Sequence, residues 1–287
     1  MQPDRATPDR IGTLSPDQRS LLRRMLSRGG VDPAKLPIPP RVGRDDPLSR
    51  AQEAMWFLNH LAPDSAVYNL PSAIRLRGPL NADALHAALI ALAQRHAILR
   101  TVFESVGGKP RQRVIDDARV ELPRVDAADL PRGDASVLEA VERAIEASAR
   151  ASFDFADAPP WRATLYRLGD RDHVLAFVHH HLVWDGWSIG VMVRELQALY
   201  AAARVGEAAT LEPLAASYGD YARWEREWIG AELLEHRGRW WRERLRGHAE
   251  LRLPFDRPRR TEPSFRGAVE AFTMPEPPQL AAALEQL

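Results

Sequence analysis

Five apolar residues run without interruption from Val174 to Val178. A strand with one wet face alternates apolar and polar side chains, so an unbroken run fits a strand covered on both faces. Its neighbours in sequence support that reading. Trp161 to Leu168 reads as a strand that reaches it through the turn Gly169-Asp170-Arg171-Asp172. After it, Ile189, Met192, Val193, Leu196 and Tyr200 recur at helical spacing and predict a helix over 189–203. A strand of this kind must lie inside a sheet that carries helices on both sides.

Other segments extend the pattern. Ser49 is placed to cap a helix carrying Ala51, Met55, Leu58 and Leu61, and Asn81 to cap one with Leu85, Ala88, Leu89, Leu92 and Ala93 on one face. Leu99 to Phe103 and Gln112 to Ile115 flank Gly107-Gly108, the pattern of a β-hairpin. Val137 to Ala149 predicts a third helix, and Trp-rich helices are expected over roughly 214–246. Before all of these, Ser15-Pro16-Asp17-Gln18 opens a helix with a Pro at its first position. Pro33, Pro37, Pro39, Pro40 and Pro47 then forbid regular structure. Residues 1–47 therefore read as a helical appendage and linker. Near the end, Ala268 to Met274 is strand-like and Gln279 to Leu287 begins a helix. Strands alternating with helices give an α/β sandwich with a mixed sheet.

Composition removes several functions. There is no Cys, which excludes disulfide scaffolds, Cys-ligated zinc and a Cys nucleophile. The 39 basic and 39 acidic side chains cancel, so nucleic acid is not an expected partner. No apolar run is long enough to span a bilayer, and the polar start Met1–Arg5 is not a secretion signal; a cytoplasmic protein is expected.

The stretch richest in chemistry is His179-His180-His181-Leu182-Val183-Trp184-Asp185-Gly186-Trp187-Ser188, between the buried strand and the helix. A neutral imidazole exchanges protons near pH 7, its free pKa being about 6.5. Neighbouring side chains on an extended chain point to opposite sides, so at most one of His180 and His181 faces a substrate and the other is fixed in the protein body. Asp185 can orient the loop by pairing with an Arg or by accepting backbone N–H groups, its bland role being that of a helix cap. Gly186 allows a sharp turn or a close approach. Three consecutive histidines converge poorly on one ion, and Asp185 adds little, so no metal site is expected.

His180-His181-Leu182-Val183-Trp184-Asp185-Gly186 resembles the HHxxxDG signature of condensation domains of nonribosomal peptide synthetases. Ser49 to Leu58 resembles their opening SxAQxxxWFL motif, Arg95 to Phe103 resembles RHExLRTxF, and Tyr218 to Arg226 resembles YxDYAxWxR. Leu253 to Arg259 is similar to the LPTDRPR stretch that follows. The resemblance runs from about residue 48 to the C-terminus. Ala97 stands where the family has Glu, which is expected to cost a local ion pair. Trp184 stands where a small residue is usual, and is expected to narrow or reshape the channel beside the histidines.

The resemblance implies a chloramphenicol acetyltransferase-like fold, with residues 48–204 as a complete N-terminal lobe and 205–287 as linking helices and the start of an incomplete C-terminal lobe. It implies amide formation between a donor acyl or peptidyl thioester and an acceptor aminoacyl thioester. Both ride on the 4'-phosphopantetheine arms of peptidyl carrier domains, beside an adenylation domain, with no cofactor bound directly. His181 would face the channel as base or as hydrogen-bonding anchor for the amine. His180 would be its buried structural partner. The Gly186 N–H would help polarise the thioester carbonyl, and Asp185 would form an ion pair with Arg100. A coenzyme A-dependent acyltransferase shares HxxxDG, and a lobe that only binds carriers is a third, non-catalytic possibility.

Overall fold

The computed structural model describes residues 45–131, 133, 135–228 and 231–249, with the isolated positions 18, 21, 22, 25, 38, 254 and 283. Of the predicted first helix, Gln18, Leu21, Leu22 and Met25 fall within the described residues, and all are helical. The Pro-rich linker (Ile38 and residues 45–47 apart), the strand at 268–274 and the helix at 279–287 (residue 283 apart) lie outside them.

Among the described residues the central sheet has four strands. They are β2 (Asn69–Arg77), β5 (Arg124–Asp126), β6 (Trp161–Gly169) and β7 (Asp172–His180), in the order β2-β7-β6-β5. β7 pairs antiparallel with β2 and β6, while β5 pairs parallel with β6, so the sheet is mixed. β7 carries the unbroken apolar run and lies between two neighbours, as expected. Its alternate residues enter different cores. Leu175 and Phe177 pack with Leu85, Leu89 and Leu92 of α2 (Ala82–Arg95) and with Met192 and Leu196 of α4 (Gly186–Val205). Val174 and Ala176 pack with Val141 and Ile145 of α3 (Val137–Arg150). Helices thus cover both faces, and the strand has no wet side to mark with polar residues.

A second, smaller sheet has the order β1-β4-β3, from Asp45–Pro47, Lys109–Val114 and Thr101–Val106. The predicted hairpin is its β3–β4 pair. Val106 faces Lys109 across a two-residue loop, where Gly107 and Gly108 have φ of 58° and 76°. Positive φ at both loop positions is what the strand twist favours, and Gly adopts it without strain. β1 pairs with β4, so the folded body includes residues assigned to the linker on sequence grounds. β2 is not among the strands expected from sequence: Pro71 demotes the segment in any propensity argument. Its burial nonetheless alternates along the strand.

Among the residues described from 45 to 249, the remaining α-helices are α1 (Arg50–Leu61), α5 (Tyr218–Trp228) and α6 (Ala231–Arg244). On α6, Trp240 and Trp241 are exposed and meet edge to face, with centroids 4.9 Å apart. α5 lies on β1 at a close approach. A Cβ added at Gly219 would overlap Asp46 Oδ2 and lie 3.1 Å from its Cγ. Asp46 is buried and holds Arg223 at 2.8 Å, so it has little room to yield. Gly219→Ala is expected to destabilise the fold by roughly 1–3 kcal/mol, the usual cost of overpacking. A urea titration of both proteins measures it, and equal midpoints would contradict this packing.

Candidate active site

The end of β7 sorts the three histidines into different surroundings. His179 is buried and unpaired by hydrogen bonds at Nδ1 among the described residues. Its ring lies flat on Trp184, with centroids 3.9 Å apart and planes at 4°. Phe177 and Trp161 stack near it as well. Burial pushes its imidazole down to about 3, because a cation there would be stripped of its water. Trp184 is thus spent on the core, at 8% exposure, which corrects the expectation that it narrows a channel.

His180 is also buried, with the Phe155 ring edge-on at 4.7 Å. Its Nδ1 accepts the Leu182 N–H at 3.1 Å. An accepting Nδ1 leaves the proton on Nε2, so the neutral tautomer follows from the geometry. Burial first, then the neighbouring His181, pushes it down to about 4. This is the body-fixed histidine of the pair. His181 is partly exposed, and its backbone N–H donates to the Tyr68 carbonyl at 2.9 Å. The Tyr68 ring stands 6.5 Å from the His181 ring.

Asp185 is the N-cap of α4. Its Oδ1 accepts the Ser188 N–H at 2.9 Å and the Ser188 hydroxyl at 2.5 Å, and Ser188 Oγ accepts the Asp185 N–H in return. The Ser188 side-chain hydrogen bond is the main cause that holds its carboxyl below the usual range, with a smaller contribution from nearby His181. Gly186 is the first helical residue, at the positive end of the helix dipole. A Cβ there would meet nothing within 4 Å, so no local crowding demands a glycine.

The expected Asp185–Arg100 ion pair does not form. Arg100 donates through Nε to the Ala93 carbonyl at 3.0 Å, through Nη2 to that of Gln94 at 3.3 Å and through Nη1 to that of Ile115 at 2.8 Å. It ends a 3-10 turn directly after α2, within reach of the carbonyls that a helix C-terminus leaves without partners. Satisfying those carbonyls takes the place of running under the histidine loop. Among the described residues no group of three or more His, Asp or Glu side chains is placed to hold a metal, and no helix is long and apolar enough to cross a membrane.

The family model described as "Condensation domain" matches residues 43–287. This chain belongs to the condensation-domain family. Among its curated relatives, phosphinothricin tripeptide synthetase PhsC of Streptomyces viridochromogenes is 40% identical over 282 residues, covering 97% of this chain and 26% of that protein. The probable non-canonical nonribosomal peptide synthetase CymA of Salinispora arenicola is 39% identical over 268 residues, 91% of this chain and 3% of its own length. Among solved structures, the X-domain from teicoplanin biosynthesis matches with a TM-score of 0.68 and 34% identity, over 79% of this chain and 49% of that one. The first condensation domain of the calcium-dependent antibiotic synthetase, at 20% identity and a TM-score of 0.64 over 72% of this chain and 49% of that one, shares the fold. The chain therefore spans about half the length of the solved domains and a small part of the synthetases it matches. Its fold is the chloramphenicol acetyltransferase-like one, and it is a condensation domain of nonribosomal peptide synthetases.

In this condensation domain the opening motif meets the histidine loop, the fourth motif meets the opening one, and the second meets α4. Ser49 and Gln52 form a capping box on α1, and Gln52 Nε2 also donates to the Leu182 carbonyl at 3.0 Å. The Tyr218 hydroxyl lies 3.1 Å from Ser49 Oγ. Burial above all holds that phenol above its ordinary value, and the charges of Glu225 and Asp185 add to it. Glu225 accepts the Arg50 N–H at 2.7 Å, and Arg226 donates to the Leu48 carbonyl at 2.9 Å and to Glu53. From the second motif, Arg95 and His96 hold Glu195 of α4 at 3.0 and 2.6 Å. Burial acts to raise the Glu195 carboxyl, but the hydrogen bonds from His96 and Arg95 bring it below its ordinary value. Asn69, which reads from sequence as a loop residue with a packing role, opens β2, and its Nδ2 donates to the carbonyls of Ala149 and Ala151 at the end of α3.

Proposed function

We propose that this chain carries the reactive histidine of a condensation reaction between two carrier-bound thioesters. The donor is an acyl or peptidyl thioester and the acceptor an aminoacyl thioester. Each is tethered to the 4'-phosphopantetheine arm of its own peptidyl carrier domain, in a cytoplasmic synthetase with an adjacent adenylation domain. On this reading residues 48–204, joined by β1 and α5, form the N-terminal lobe.

The observation that carries the reading is the sorting of the three histidines. Only His181 keeps access to solvent, while its backbone is held beside the start of α4. A thioester is already activated, so the reaction asks chiefly for orientation and proton handling. The acceptor amine attacks the donor carbonyl, a C–N bond forms, the C–S bond breaks and the donor arm leaves as its thiol. The amine gives up one proton, and a neutral His181 is the group placed to accept it or to anchor the amine by a hydrogen bond. The Gly186 N–H, at the helix start, would stabilise negative charge on the carbonyl oxygen. His180 and Asp185 hold the loop and the helix start.

The test is reconstitution of the full chain with a loaded donor carrier and a loaded acceptor carrier, read by mass spectrometry of the acceptor arm. An amide on that arm is expected. Faster turnover of coenzyme A thioesters than of carrier-bound ones would point instead to a stand-alone acyltransferase. Absence of product from either source would overturn the catalytic reading in favour of a lobe that only binds.

A further inference from the structure

We propose that Gln52 is a positioning residue for the histidine loop, clamping the backbone on the C-terminal side of His181 and thereby setting the tautomer of His180. The proposal rests on the function proposed above for His181, but its structural part can be measured separately.

Gln52 is fully buried, and both ends of its amide are used. Oε1 accepts the Ser49 N–H at 3.0 Å, and Nε2 donates to the Leu182 carbonyl at 3.0 Å. The second contact joins residues 130 positions apart in sequence, so local helix capping does not require it. Leu182 is the pivot. Its side chain is buried, its carbonyl is taken by Gln52 and its N–H by His180 Nδ1 at 3.1 Å. The Val183 N–H donates to the His180 carbonyl at 3.0 Å, which closes the turn. On the other side, the His181 N–H is held by Tyr68. The backbone on each side of His181 is therefore pinned, and the side chain between them is the part left free to meet a ligand.

The chemistry of the side chain suits this place narrowly. One end must accept and the other must donate, which an amide does and an ionised carboxylate does not. Asn is shorter by one methylene and does not span the same gap. A residue that served only the α1 cap would need the Ser49 bond alone. Losing the Leu182 bond would leave a buried carbonyl without its partner and release the peptide that orients His180.

The experiment uses the full chain with ¹⁵N-labelled histidine and compares wild type with Gln52→Met, Gln52→Glu and Ser49→Ala. In wild type, His180 is expected to show a single neutral tautomer, protonated at Nε2 with Nδ1 accepting a hydrogen bond. Ser49→Ala removes the cap hydroxyl and its contact with Tyr218 but leaves the Gln52–Leu182 bond, so the His180 signals should stay in place. Gln52→Met should shift them, and the kcat of amide formation should fall by up to roughly a hundredfold with little change in KM. Should Gln52→Met fail to fold, Gln52→Glu keeps the shape: His180 should be displaced while the carboxyl is ionised and return toward wild type as it is protonated. Unchanged His180 signals in the folded Gln52 variants, or equal shifts in Ser49→Ala, would overturn the proposal. A shifted His180 in a chain whose wild type forms no amide would leave the positioning role standing and overturn the catalytic reading instead.

Discussion

Lowering the pH from about 7 to about 4.5 is expected to destabilise the fold by several kcal/mol, before most of its carboxylates protonate. The cause is the pair of buried histidines at the end of β7, held near 3 for His179 and near 4 for His180. In the unfolded chain both return to about 6.5. Below that value the unfolded state binds protons that the folded state refuses, so stability falls with pH and is lost progressively down to the folded values. At pH 4.5 the imbalance is on the order of 2 kcal/mol for each histidine. The depressed carboxyls of Asp185 and Glu195 act in the same direction, but their window opens only near their unfolded value of about 4. Urea titrations at pH 7, 6, 5 and 4.5 resolve the two. His179→Phe keeps an aromatic ring against Trp184 and removes one titrating group, so its stability should decline less steeply than that of wild type. Equal stability at pH 7 and 5 would show that these imidazoles are not desolvated as described.

Much of the sheet was legible because burial leaves a direct trace in sequence. The run from Val174 to Val178 announces a strand covered on both faces, and β7 has a partner on each side and a core on each face. Ser49 and Asn81 announced their helices through short-range bonds that only local geometry decides. Asp185 does the same, although its more ambitious pairing with Arg100 is absent. A charged side chain at a helix end finds free carbonyls close by, and sequence distance to an acidic residue says nothing about which partner it meets first. β2 was hidden by Pro71, whose missing N–H is tolerable at its place in the sheet. The family comparison directs Trp184 at a channel, whereas the flat face of His179 offers it a buried partner that no sequence pattern displays. The role of Gln52 in the opening motif is invisible in sequence, because its decisive contact is made with a carbonyl 130 residues away.

Replacing His181 with Ala is expected to remove amide formation while leaving the fold intact, and this contrast tests the central claim most directly. His181 is partly exposed, and the loop is pinned by its backbone through Tyr68 and by the neighbouring residues His180, Leu182 and Gln52. Truncating its ring therefore takes away a proton acceptor or amine anchor without opening a core. Loss of a general base costs roughly 10²–10⁴-fold in rate. His180→Ala, by contrast, removes the acceptor of the Leu182 N–H and leaves a hole beside Phe155, so it should lower stability as well as activity. The measurement is single-turnover amide formation on the acceptor carrier by wild type and His181→Ala, with urea midpoints determined on the same samples. The account predicts equal midpoints and a rate lower by roughly 10²–10⁴-fold in the variant. Equal rates at equal stability would contradict it.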